Sequence, residues 1–296
     1  MRNYSLIVAL LLSLIFGCKS HETADDEMLS QETKDYLDTV LSYVDSFPVN
    51  DGSALANLGY RAIYYGRNEI GNELIQLGIS RMDSITGDQL RGLSVQNTKN
   101  GNYRQAIELL EEGMKLDPET VSRYYGWLLL YYYRDYEKAL EILELHDAYT
   151  PDFNDAPMGE DIHYLKGLAH FQLKNYEKAN TEFDTYISHL GNTHGEDFVD
   201  VYTFVQKGRS LAQLNRKEEA LAAYEKAILY APSCTEAFYF KGVLLAEMGQ
   251  IDSACILLNT AKTLLAKGSK SSDNYVEYFH EIYWQDIDEA IKKFCE

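Results

Sequence analysis

The chain has 296 residues, enough for one large domain or two small ones, and carries a formal charge of −19 from 46 acidic and 27 basic side chains. That balance argues against a nucleic-acid backbone as partner, which needs clustered Lys and Arg, and against a peripheral grip on an anionic membrane. The four cysteines, Cys18, Cys234, Cys255 and Cys295, form no CxxC and are too few for a disulfide scaffold. Spacing does not decide whether any of them pair, and Cys234, Cys255 and Cys295 read as small buried apolar residues.

The chain opens MRNYSLIVALLLSLIFGC, with Arg2 before an apolar stretch from Leu6 to Phe16. Such a stretch rises about 16 Å as a helix, short of the roughly 30 Å of hydrocarbon in a bilayer. A signal peptide over residues 1–17 fits better than a permanent span. The end of the stretch, Ile15-Phe16-Gly17-Cys18, resembles the box of a bacterial lipoprotein signal of the Bacteroidetes-like kind. Leu14 sits one place early for the usual leucine, and Phe16 is bulkier than the common small residue. The resemblance implies cleavage after Gly17, diacylglycerol on Cys18 and usually an acyl group on the new amine; two or more chains hold a protein stably where one holds it marginally. An ordinary secretory signal with an incidental cysteine, or a buried first helix, are the alternatives. Lys19 is not the aspartate that retains many such proteins in the inner membrane, so the outer membrane of a bacterial envelope is expected, with its face left open. Residues 18–32 read as a polar, mostly acidic tether.

From there on, apolar residues recur three and four apart, the period of a helix. Residues 33–47 form one amphipathic helix, and 54–66 with 67–84 form a degenerate hairpin. A longer period follows in NYRQAIELLEEGMKLDP (102–118), DYEKALEILELHDAYTP (135–151), NYEKANTEFDTYISH (175–189), RKEEALAAYEKAILYAP (216–232) and the weaker IDSACILLNTAKTLLA (251–266). Ala106, Ala139, Ala179, Ala220 and Ala254 anchor these copies, and an apolar-periodic segment precedes each.

The pattern resembles the tetratricopeptide repeat, a pair of antiparallel helices of about 34 residues. The small residue of the first helix falls on Gly167, Gly208 and Gly242, and in the second copy on Trp127, with Gly126 one place before it. Pro118, Pro151 and Pro232 end second helices. The expected fold is all-α, a right-handed helical-repeat solenoid of antiparallel helix pairs, because one hairpin cannot bury its own apolar side. The copies register as 87–120, 120–153, 160–193, 201–234 and 235–268. Loops lie at TPDFNDAPMG and LGNTHGEDFV. Residues 269–296 are expected as capping helices, and 33–296 as one continuous domain.

Little in the sequence promises chemistry. His189 and His194 flank a loop with Glu196 and Asp197, but neither HxxxH nor HExxH is present, and solvent-facing loop residues are the plainer reading. His163 and His170 are two helical turns apart, too distant to share one ion unaided. Pairs such as Glu111-Glu112 suit a solvated face rather than acid/base work. No nucleophile elbow, phosphate loop or dinucleotide fingerprint occurs. No enzyme activity, cofactor or metal is expected.

The 24 tyrosines say more, and RYYGWLLLYYYRDY (123–136) is the densest patch. In proteins resembling this family the first helices line a concave groove. Carried onto this register, the lining is Tyr124, Leu128, Tyr131 and Tyr132 in the second copy and Tyr164, Leu168 and Phe171 in the third. The fourth adds Tyr202, Val205 and Arg209, and the fifth Tyr239 and Val243. A one-residue error of register would rotate this lining by about 100°. Aromatic surface of this kind binds extended peptides or helices at low entropic cost. With Arg209 as the main cation, it does not suit a bare terminal carboxylate. The expected function is a lipid-anchored scaffold that binds a protein or peptide through this groove, touches the membrane only through its anchor and binds no nucleic acid. A fixed subunit of an outer-membrane assembly complex is the alternative, and a glycan-binding accessory lipoprotein is a more distant one.

Overall fold

The computed structural model describes residues 29–296 apart from Asp45 and Asp83. The signal segment and Cys18 lie outside the described residues. Among the described residues the fold is all-α, a helical-repeat solenoid of antiparallel helix pairs with no strand. None of these helices is long and apolar enough to cross a membrane. The chain divides into two compact units, the boundary falling after Val121.

The first unit holds α1 (Gln31–Tyr43), α2 (Gly52–Tyr64), α3 (Asn68–Ser80), α4 (Gly87–Lys99) and α5 (Tyr103–Leu116). Short polar side chains start several of them. Asp51 accepts the backbone N–H groups of Ser53 and Ala54, and Thr86 with Gln89 forms a reciprocal capping box. The hairpin α2–α3 is as tightly built as any repeat pair. A Cβ on Gly59 would stand 2.6 Å from the carbonyl oxygen of Gly71, so two backbones meet where a side chain cannot fit. Leu55, Leu58, Ala62, Ile70, Leu74 and Leu77 form its core, against which Tyr36, Leu37 and Val40 of α1 pack.

The boundary lies inside α6 (Pro118–Leu128). Pro118 therefore opens this helix rather than closing the one before. That is the position where the missing N–H costs nothing, and Asp117 ends α5 instead. The second unit continues through α7 (Tyr136–Asp147), α8 (Ile162–Gln172), α9 (Tyr176–Thr193), α10 (Val201–Gln213), α11 (Lys217–Tyr230), α12 (Thr235–Glu247), α13 (Ile251–Ala266) and α14 (Trp284–Cys295). Each first helix turns into its partner through one left-handed residue: Gly66, Gly101, Arg134, Lys174, Asn215 and Gly249.

These turns give a ruler for the repeat. Counting back seven residues reaches Gly59, Gly167, Gly208 and Gly242, each facing its partner helix. A Cβ would stand 2.4 Å from the Phe183 ring at Gly167, 2.4 Å from the Tyr224 ring at Gly208 and 3.0 Å from Leu258 at Gly242. In the second copy the residue seven back is Trp127, yet Gly126 is the residue against the partner helix. A Cβ there would stand 2.8 Å from Leu143. One extra residue thus separates the small position from the turn. The helix absorbs it by widening into a π-helical turn at Leu129–Tyr133 before Arg134 reverses the chain. The alignment of the second copy shifts by one residue upstream of that turn.

Two further expectations change. Cys255 and Cys295 are not buried apolar fillers but a disulfide tying α13 to α14, while Cys234 alone stays buried as a thiol. The segment after the last repeat is also not helical throughout. Only Trp284–Cys295 forms a helix, with Ile287 buried against Ala261 and Leu265 of α13. Residues 270–283 have no regular secondary structure. The run Ser269-Lys270-Ser271-Ser272-Asp273-Asn274 offers side chains that compete with the helix for backbone hydrogen bonds, and no apolar stripe to bury.

Candidate functional site

Within the second unit, residues 270–283 run along the face formed by the π-turn and the first helices α8, α10 and α12. The site is therefore built from both sides of a groove and its occupant. The extra residue of the second copy aims Tyr131 and Arg134 at this face. Tyr131 stacks on Phe279, with ring centroids 5.4 Å apart and 23° between planes, and meets Tyr278 edge-on at 5.9 Å. The Arg134 guanidinium lies 4.3 Å from the Phe279 centroid and donates to the Glu277 carbonyl at 2.7 Å. Tyr136, the first residue of α7, closes the slot edge-on at 6.0 Å.

The next slot belongs to His280. Its ring lies nearly parallel between Tyr202 of α10, at 3.9 Å, and Tyr278, at 5.3 Å. Gln206 contacts its Nδ1 at 3.4 Å, and its Nε2 lies 3.0 Å from the Ser271 hydroxyl. The Gln206 amide oxygen is taken by Arg209, so its nitrogen faces the ring and can only donate. Nδ1 is then the acceptor and Nε2 carries the proton. Burial, with the Arg209 charge as a second cause, pulls the His280 pKa down to about 3 and keeps the ring neutral. Arg209 itself is held between the rings of Phe171 and Phe240, 4.9 and 4.8 Å from their centroids, and donates to the Phe279 carbonyl. Nearer the start of the segment, Glu236 accepts the Ser271 N–H at 2.8 Å and Thr235 donates to the Ser269 carbonyl.

The floor is acidic. Glu160 is gripped by the Trp127 indole N–H at 2.7 Å and the Tyr131 hydroxyl at 2.8 Å. Burial still raises its carboxyl above the usual range, helped by the nearby charges of Asp200 and Asp273. Burial raises Asp200 and Glu236 likewise. The phenols of Tyr131 and Tyr164 are pushed well above their ordinary value by burial and stay protonated.

The residues expected to line the groove thus separate into groups. Tyr131, Tyr202 and Arg209 touch the occupant directly, and Phe171 supports Arg209. Tyr164 is buried beneath, within electrostatic reach of Tyr278 and Arg209. Leu128, Leu168 and Val205 are wholly inside the core. Tyr124 is also buried, stacked on Trp127 at 6.4 Å, as Tyr164 and Val205 of the same expected row are buried. Tyr132 tilts against Trp127 at 5.9 Å. Tyr239 packs edge-on against Phe240 and towards Ile282, and Val243 is half-buried. Sequence reasoning missed Trp127, Arg134, Tyr136, Glu160, Gln206, Thr235 and Glu236. The one available signal was the eight-residue gap from Gly126 to Arg134, where the other copies have seven.

One constellation looks catalytic. Ser122 Oγ lies 3.0 Å from His146 Nδ1, and His146 Nε2 lies 2.7 Å from Asp155 Oδ2. A nucleophilic serine must reach a substrate carbonyl. Ser122 is 0% exposed and His146 3%, so the arrangement ties α6, α7 and the following loop together rather than serving a reaction. The histidines near the third repeat are engaged as well. His163 meets Glu182 at 2.6 Å, His194 meets the Thr193 hydroxyl, and Glu196 is held by Lys226 and Tyr230. Among the described residues, no group of three or more His, Cys, Asp or Glu side chains is placed to hold a metal ion.

Comparison with known proteins agrees with this architecture. Residues 205–269, spanning most of the fourth helix pair and the fifth, match the tetratricopeptide repeat family. The chain is similar in fold to MamA (41-end) from Desulfovibrio magneticus RS-1, with TM-score 0.52 and 17% identity, covering 63% of this chain and 98% of that one. It is similar to PilF of Pseudomonas aeruginosa, with TM-score 0.52 and 17% identity over 73% of this chain and 92% of that one. The Cut9–Hcn1 hetero-tetramer of the APC/C gives TM-score 0.53 at 12% identity, over 92% of this chain and 47% of that one. Identities this low carry the fold and nothing further. No curated protein matches the chain in sequence.

Proposed function

We propose that the protein is a helical-repeat scaffold that binds a protein or peptide partner, held at a bacterial cell envelope by lipid on Cys18, with no catalysis of its own. One observation carries the binding reading: the face built from the first helices holds an extended, non-helical stretch of polypeptide through ring slots and through side chains that bond its backbone. Guanidinium and carboxylate groups aimed at carbonyl and N–H groups recognise a peptide chain as such, and the aromatic slots add side-chain selection. The acidic surface and the buried Ser122 agree with a binding rather than a reactive role. The anchor reading is supported by Ile15-Phe16-Gly17-Cys18, and Lys19 favours the outer membrane.

The test places a photo-crosslinking phenylalanine analogue at Tyr132, a half-buried ring beside the groove, in cells of the source organism. One recurring foreign protein among the crosslinked products is expected. Crosslinks confined to the chain itself would refute the partner reading. Palmitate labelling that persists in Cys18→Ser would refute the anchor.

A further inference from the structure

The groove is not empty, and its occupant has the character of a ligand. Residues 270–283 contribute little to a hydrophobic core of their own. Ser272, Asp273, Asn274, Tyr275, Glu277 and Tyr283 are exposed, whereas Val276, His280 and Ile282 are buried. The hold on the segment is of two kinds. Arg134, Arg209 and Glu236 bond its backbone, which any sequence could satisfy. Two side chains enter aromatic slots, while Ile282 packs with Ala261, Leu265 and Ile287. Phe279 sits under the Arg134 guanidinium on Tyr131 and Tyr136, and His280 stacks on the Tyr202 ring with Gln206 at its Nδ1, while Tyr278 and Ser271 of its own segment complete its surroundings. A phenyl ring there gains a cation–π contact and ring stacking. A neutral imidazole fits the second slot because it can stack on Tyr202 and accept from Gln206, and its other nitrogen is left to donate within its own segment, here to Ser271.

We infer that residues 270–283 are a resident copy of the ligand, and that the groove selects an extended partner segment presenting an aromatic residue followed directly by histidine, which takes the place of Phe279 and His280. This rests on the reading of the groove as a peptide site and names its partner by chemistry. The resident copy is tethered at both ends. Gly268 and Ser269 join it to α13, and α14 is packed on α13 and locked by Cys255–Cys295. A tether of this length gives an effective concentration of about a millimolar. A free segment with equal contacts therefore competes poorly until the resident one is weakened, so the resident segment sets the threshold that a partner must exceed.

The experiment uses the full chain and a fluorescein-labelled peptide of residues 270–283, KSSDNYVEYFHEIY, read by fluorescence anisotropy. The chains are wild type, the double variant Phe279→Ala/His280→Ala, and Cys295→Ser, which removes the disulfide lock beyond the far end of the segment and leaves the groove residues in place. The double variant is expected to bind the peptide at least tenfold more tightly than wild type does, with Cys295→Ser in between. A peptide carrying alanine at both slot positions is expected to bind none of them. Equal binding to wild type and to both variants, undiminished binding of the alanine peptide, or no binding to either variant while each melts cooperatively would overturn the inference. Should the double variant not fold, the comparison of Cys295→Ser with wild type carries the same decision. The outcome is separable from the partner test above: the peptide can bind here with no foreign crosslink found in cells, and a foreign crosslink can be found with no peptide binding.

Discussion

Replacing His280 by glutamine should flatten the pH dependence with which residues 270–283 stay docked. The docked ring has its pKa pulled from 6.5 to about 3, by burial first and by the Arg209 charge second. Undocked, it returns to about 6.5. Between these values the free segment binds a proton that the docked one refuses. Docking is therefore at full strength above pH 6.5 and weakens as pH falls through this window. At pH 5 the loss is about 2 kcal/mol, roughly thirtyfold in the docking equilibrium. Glu160, Asp200 and Glu236 act in the opposite sense, since burial raises their carboxyls and docking then favours proton uptake. Glutamine keeps those carboxylates, and its amide can still accept from Gln206 and donate to Ser271, so only the imidazole contribution is removed. The assay is amide protection of residues 278–282 at pH 7 and pH 5, corrected for intrinsic exchange. Wild type should lose about thirtyfold more protection than His280→Gln over that interval. Identical profiles in the two proteins would refute the assignment of a neutral, buried His280.

Three further outcomes follow from the packing. Gly208→Ala puts a Cβ 2.4 Å from the Tyr224 ring and should cost about 1–3 kcal/mol in urea unfolding, with no change at the groove contacts. Deleting Tyr132 restores the seven-residue spacing between Gly126 and the left-handed turn; cooperative melting should persist while amide protection of Phe279 falls at least tenfold, because the π-turn that aims Tyr131 and Arg134 is gone. Ser122→Ala leaves the buried Nδ1 of His146 without its hydroxyl partner and should destabilise by about 1–3 kcal/mol, and hydrolysis of small activated esters should be the same for this variant as for wild type.

Much of the helix layout was legible in the chain itself. The alanine series and the glycines at Gly167, Gly208 and Gly242 mark where two helices touch, and those contacts are local, within one hairpin, so a short window of sequence carries them. The groove was legible only in part. Tyr131, Tyr202 and Arg209 reach the occupant from the face assigned to them, but Tyr124, Tyr164 and Val205 of one expected row are buried. A single surplus residue also turns everything upstream by about 100°, and the sequence does not say whether a turn, a loop or a π-helical widening takes it up.

The sequence by itself determined a helical repeat, the positions of its small residues and a segment rich in tyrosine. It also holds, in Ile15-Phe16-Gly17-Cys18, the whole argument for an anchor. Only the tertiary structure decided what covers the first-helix face. Arg134 and Glu277, or Arg209 and Phe279, stand far apart in the chain, and no periodicity links them. Their meeting follows from closure at the other end: α14 docks on α13 and Cys295 bonds to Cys255, which leaves residues 270–283 to bridge the distance across the groove. Long-range contacts of this kind are set by where a whole unit brings its ends, so they become visible only once the unit is assembled.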